Sequence, residues 1–178
     1  YVGEKKKKAL TDEQIVENIC NIIRRWGWGS LAENELENMT FRPTSYHIIE
    51  VLKQFRDLDI LMGFFRWSRG QKWYSPSISV FNLLIDRTGL NRDFDGVLWL
   101  QNTMKEDNCP PTSVTLNILI KCYLRASKLE EALSCFAENT KSKDLQPDIM
   151  TFNTLIGSCV DGGLHQKAIE IFNAMEEF

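Results

Sequence analysis

The chain is poor in the residues that carry most protein chemistry. It has only two histidines, His47 and His165, and neither begins a His-x-Glu, because Ile49 and Lys167 occupy the positions two residues on. Its five cysteines (Cys20, Cys109, Cys122, Cys135 and Cys159) form no Cys-x-x-Cys pair and have no histidine at ligand spacing. Zinc sites and redox motifs are therefore not expected, and Cys122, Cys135 and Cys159, inside predicted helices, read as small buried thiols. There is no glycine-rich phosphate loop, no Gly-x-Ser-x-Gly and no carboxylate cluster with metal spacing, so neither catalysis nor a cofactor or metal is expected. No stretch approaches the roughly 18 consecutive apolar residues that cross a membrane. Excess positive charge is missing too. The net charge of −3 argues against indiscriminate binding to a phosphate backbone, although Lys5 to Lys8 form a basic run in the amino-terminal tail.

What the chain does have is repetition. Asn82, Asn117 and Asn153 stand 35 and 36 residues apart, each followed at one offset by Leu84/Ile85, Leu119/Ile120 or Leu155/Ile156. A period of this length marks one supersecondary unit copied along the chain, and such units stack because none buries its apolar face alone. In residues 113–148, Val114, Leu116, Leu119, Ile120 and Tyr123 give a first helix one apolar face. Ser127 with Glu130 is expected to cap a second helix, which carries Leu129, Ala132, Leu133 and Phe136. Pro147 then stops the helix and Asp148 stands where the next one needs a cap.

The copy at 149–178 repeats this layout around a Gly162-Gly163 turn, matching Thr115 with Thr151, Ala132 with Ala168 and Phe136 with Phe172. An earlier copy spans 78–112, with Val97 in place of the small alanine. Residues 42–77 read as a degenerate copy. Residues 1–41 read as a cap of two helices behind the basic tail, split at Trp26-Gly27-Trp28-Gly29 and restarted by a Ser30/Glu33 capping box. The chain opens with Tyr1 and stops at Phe178 inside a repeat. It is thus read as a trimmed piece of a longer protein, with any transit peptide out of view.

The runs Val114-Thr115-Leu116-Asn117-Ile118-Leu119-Ile120, Leu129-Glu130-Glu131-Ala132-Leu133 and Pro147-Asp148-Ile149-Met150-Thr151-Phe152-Asn153 resemble the pentatricopeptide repeat family. The segment from Val51-Leu52 to Phe64-Phe65-Arg66-Trp67 looks like the entry repeat of plant organellar members. The resemblance implies an all-α fold, a right-handed superhelical solenoid of antiparallel helix-turn-helix repeats. It also implies single-stranded RNA as partner, met one nucleotide per repeat, with two or three side chains selecting each base. Carried over to this chain, the selectors are Asn82 with Thr112, Asn117 with Asp148, and Asn153 with a partner beyond Phe178; Tyr46 with Ser77 is a weaker pair. In the family, Asn with Asp favours uracil, and for Asn with Thr a pyrimidine is expected. The second residue of each repeat wedges between bases, a role that Val114 and Met150 fit and Ser79 does not.

Two functions follow from the resemblance. One is sequence-selective RNA binding in organellar RNA processing, such as splicing, stabilisation or translation, in the mitochondrion or alternatively the chloroplast. The other is a structural subunit of a large assembly such as an organellar ribosome or other ribonucleoprotein, which the acidic balance and imperfect selectors would suit. A protein-only adaptor is a third possibility.

Overall fold

The computed structural model describes residues 10–140 and 147–175. Among these residues every regular element is a helix, and the chain divides into two compact units, Tyr1–Pro76 and Ser77–Phe178. The Lys5 to Lys8 run lies outside the described residues.

The first unit holds α1 (Asp12–Trp26), α2 (Ser30–Glu37), α3 (Ser45–Lys53) and α4 (Leu58–Arg69). Helix α1 starts at a reciprocal capping box between Thr11 and Gln14, with Asp12 and Glu13 in its first turn and Arg24 and Arg25 in its last, as the helix dipole favours. Ile15, Ile19 and Ile23 recur every four residues and are buried along its inner face. Gly27, at φ 69°, ends the helix. The expected Ser30/Glu33 box is not formed: Gly29 is the N-cap and Ser30 is already the first helical residue, so its hydroxyl has no cap bond to make. Trp28 instead anchors this corner. A Cβ at Gly63 would lie 2.1 Å from its indole, so the missing side chain on α4 is what lets the ring lie there. Trp28 also meets Phe64 edge-on at 5.9 Å.

Residue His47, with no assigned role in the sequence, turns out to be buried and structural. Its Nδ1 accepts from the Thr44 backbone N–H at 2.9 Å, capping α3, while Nε2 lies 3.1 Å from Asp12 Oδ1 at the start of α1. Because a backbone N–H can only donate, Nδ1 must carry a lone pair, which leaves the proton on Nε2 facing the carboxylate.

The second unit is three helical hairpins: α5 (Ile78–Leu90) with α6 (Phe94–Glu106), α7 (Ser113–Arg125) with α8 (Leu129–Thr140), and α9 (Ile149–Asp161) with α10 (His165–Met175). Leu116, Ile120, Ala132, Phe136, Phe152, Leu155, Ala168 and Ile171 belong to one buried cluster. Each fully buried Leu or Phe there contributes about 1.5–3 kcal/mol relative to exposure. Ala132 is completely buried between α8 and its neighbours, and Phe136 closes the layer edge-on against Phe152 at 5.3 Å. Its counterpart Phe172 is 54% exposed. The difference is physical: Phe136 lies under α9, and among the described residues no helix follows α10.

The hairpin turns are also copies of one another. Arg92, Ser127 and Gly163 take the left-handed conformation at φ 59°, 60° and 73°. Each is followed by a residue whose N–H reaches back five positions, Asp93 to Thr88, Lys128 to Tyr123 and Leu164 to Cys159. This corrects the expected Ser127/Glu130 capping box: Ser127 closes α7, and α8 begins at Leu129 with Ala132 N–H bonding to Lys128 O at 3.1 Å. The α5 and α7 helices approach so closely that a Cβ at Gly89 would sit 2.1 Å from Cys122 Sγ. Burial first, and then Asp86 nearby, push that thiol up to about 11, so it is a packing atom and not a nucleophile.

Candidate nucleic-acid interface

Asn82, Asn117 and Asn153 are each the fifth residue of their helix, so α5, α7 and α9 carry the same amide at the same height. Their surroundings differ. Asn117 lies at the junction of two hairpins, and its Nδ2 donates to Asp148 Oδ2 at 2.8 Å. Asp148 is the N-cap of α9 and accepts the Thr151 N–H on Oδ1 at 2.8 Å. The Thr151 hydroxyl lies 2.9 Å from that same Oδ1 and also bonds to Asn117 Oδ1. Burial raises the Asp148 pKa, but the donors from Asn117 and from the Thr151 backbone and hydroxyl outweigh it and hold the carboxyl below its ordinary value.

At the preceding junction the same positions are wired differently. Thr112 caps α7 in a box with Thr115: the Thr112 N–H donates to Thr115 Oγ1 at 3.0 Å, and the two hydroxyls lie 3.2 Å apart. No carboxylate is present, and Asn82 Oδ1 is buried without a hydrogen-bond partner. Asn153 is exposed on α9. The second-position residues Val114 and Met150 are 55% and 59% exposed. Ser79, at the same register, is exposed and small.

Tyr46 is exposed on α3 in the first unit, and Ser77 precedes α5 in the second, its side chain making no cap bond. Arg125 on α7 and Asp86 on α5 meet at 3.1 Å, a link that spacing alone does not reveal. Lys121 stands between Asn117 and Arg125 at four-residue spacing, which puts all three on one helical face. Thr151 is a second omission: its match with Thr115 was visible, but nothing in a lone sequence shows that its hydroxyl turns toward the amide of the hairpin before. Among the described residues no group of three or more His, Cys, Asp or Glu side chains is placed to hold a metal. None of these helices is long and apolar enough to cross a membrane.

These features define a class: helical hairpins in tandem, each presenting an amide at one register, with the middle one meeting the residue that opens the following hairpin. Family models described as PPR repeat family, PPR repeat and pentatricopeptide repeat domain match residues 111–161, 150–178 and 75–125. The chain belongs to the pentatricopeptide repeat family. It is 32% identical over 169 residues to a mitochondrial pentatricopeptide repeat-containing protein of Arabidopsis thaliana, a match that takes in 93% of this chain and 20% of that protein. It is 31% identical over 117 residues to the chloroplastic PPR5 of Zea mays, covering 64% of this chain and 23% of the relative. The chain thus spans about a fifth of these relatives' lengths. The crystal structure of PPR10 in complex with an 18-nt psaJ RNA element shares its fold, with a TM-score of 0.68 at 20% identity over 97% of this chain and 26% of that one. Both are all-α solenoids of antiparallel helical hairpins.

Proposed function

We propose that this chain is the part of a longer organellar protein that binds single-stranded RNA through its repeats, with Asn117 and Asp148 together reading one base. The observation that carries this reading is the 2.8 Å bond between those two side chains from successive hairpins. It supports a composite polar edge that keeps one N–H and lone pairs free for a base, flanked by the exposed wedges Val114 and Met150. Repeats at 78–112, 113–148 and 149–178, a degenerate repeat at 42–77 and a cap at 1–41 make up the array. Asn82 with Thr112 reads a pyrimidine, Asn117 with Asp148 reads uracil, and Asn153 reads with a residue beyond Phe178. The mitochondrial and chloroplastic names of its relatives support an organellar location, the mitochondrion first; the proposed role there is in splicing, transcript stabilisation or translation.

The test is binding of labelled uridine-rich and cytidine-rich oligonucleotides followed by anisotropy, with the Asn117→Ala and Asp148→Ala variants beside the parent chain. Loss of the uridine preference in both variants is the expected result; binding that ignores both substitutions would sink the reading. The sealed Asn82 Oδ1 and the net charge of −3 favour a second role, as a structural subunit of a large ribonucleoprotein assembly. That role predicts co-sedimentation with the assembly and no affinity for free oligonucleotides.

A further inference from the structure

We infer that Thr151 is a positioning residue, one that holds the Asn117 amide in alignment with a base once Asp148 has set which way round it faces, and so sharpens the separation of uracil from cytosine; this rests on the reading of Asn117 and Asp148 as a base reader. An asparagine amide has a donor side and an acceptor side, and an unconstrained one can turn over. Here it cannot. Turning it over would bring Asn117 Oδ1 to where Nδ2 now lies 2.8 Å from Asp148 Oδ2, acceptor against acceptor. On the other side the Thr151 hydroxyl meets Asn117 Oδ1 and shares its one proton between that oxygen and Asp148 Oδ1 at 2.9 Å. Thr151 itself is fully buried, so this hydroxyl has no solvent alternative and holds its place.

The consequence lies in the pyrimidine edges. Uracil presents an acceptor at position 4 beside a donor at N3, and cytosine presents a donor beside an acceptor. An amide free to turn over matches both, whereas one held in a single orientation matches one and leaves polar groups unpaired against the other. The carboxylate alone prevents inversion. Without the hydroxyl, however, the amide would still pivot about its single bond to Asp148, and the alignment of its second donor and acceptor would be lost. The preceding junction is the internal control. Thr115, matching Thr151, is engaged with Thr112, and Asn82 Oδ1 has no partner. Asn82 therefore lacks the carboxylate and hydroxyl anchors that Asn117 has.

The experiment compares the parent chain with Thr151→Val, which keeps the shape and removes the hydroxyl, and Thr151→Ser, which restores it. Affinities for oligonucleotides carrying uridine or cytidine at the position read by Asn117 give a uridine-to-cytidine ratio. The ratio should fall about three- to tenfold in Thr151→Val, the range of one hydrogen bond, and recover in Thr151→Ser. In parallel, NMR of the side-chain amides needs no RNA: Asn117 signals should exchange more slowly than those of Asn82 in the parent, and should move in Thr151→Val alone. An unchanged ratio in a folded Thr151→Val that still loses selectivity on Asn117→Ala overturns the positioning role and leaves the base-reader reading intact. If Thr151→Val fails to fold, equal exchange for Asn117 and Asn82 in the parent overturns it instead. RNA binding indifferent to Asn117→Ala removes the base-reader reading, and this inference with it.

Discussion

The two junctions within the second unit are built from equivalent helices and end in opposite states. Between α7 and α9 an amide, a carboxylate and a hydroxyl satisfy one another and leave a directed edge. Between α5 and α7 the carboxylate is replaced by Thr112, the hydroxyls bond each other, and the amide oxygen of Asn82 is orphaned. One residue at the helix N-cap therefore decides whether the neighbouring asparagine is oriented or left loose. The same residue caps a helix and holds the neighbouring amide, and Asp serves both because its two oxygens point to different partners.

Replacing Asp148 by Ala breaks the comparison most severely. It should cost about 1 kcal/mol of stability through the lost cap and about tenfold or more in uridine preference, the effect of removing a charged hydrogen-bond partner; thermal melts and anisotropy read the two separately. The reverse change, Thr112→Asp, should sharpen the junction between α5 and α7 by giving Asn82 an acceptor, raising its uridine preference by about threefold. Substituting Arg92 by Gly relieves a left-handed backbone at the turn where Gly163 already stands, and should stabilise the chain by about 0.5–1 kcal/mol in urea unfolding.

Acid supplies a gentler probe. The native Asp148 carboxyl titrates below its ordinary value, so its stabilising contribution is full above the unfolded carboxylate value near pH about 4. It is then lost as pH falls through the lower native value. The difference in melting temperature between the parent and Asp148→Asn should stay constant down to that region and shrink below it. A difference that began to close near neutrality would contradict the hydrogen-bonded arrangement. Smallest of all, Met150→Ser should weaken RNA binding about twofold without altering selectivity, since it removes apolar cover and no polar contact.

The helices and their period were legible because they rest on spacing. Apolar residues every three or four positions and the Pro147-Asp148 stop define hairpins whatever surrounds them. The capping details were not. Ser127 and Ser30 both precede a glutamate at capping-box distance, yet one lies in a left-handed turn and the other is already helical. That left-handed turn passed unnoticed because Arg92 and Ser127 occupy it where only Gly163 would announce it. Within the candidate site, the pairing of Asn117 with Asp148 was anticipated from the resemblance to the pentatricopeptide repeat family, carried over onto the repeat register. The roles of Thr151 and His47 could not, since both depend on which neighbouring hairpin or helix a short polar side chain faces.

The close approach at Gly89 has a mechanical meaning for how successive hairpins are spaced. Where α5 and α7 pass, the gap is set by a hydrogen atom facing Cys122 Sγ; one repeat later the matching residue is Leu124, a full side chain. Equivalent positions of successive first helices thus carry side chains of different bulk. Gly89→Ala would force α5 and α7 apart at Cys122 without touching either amide.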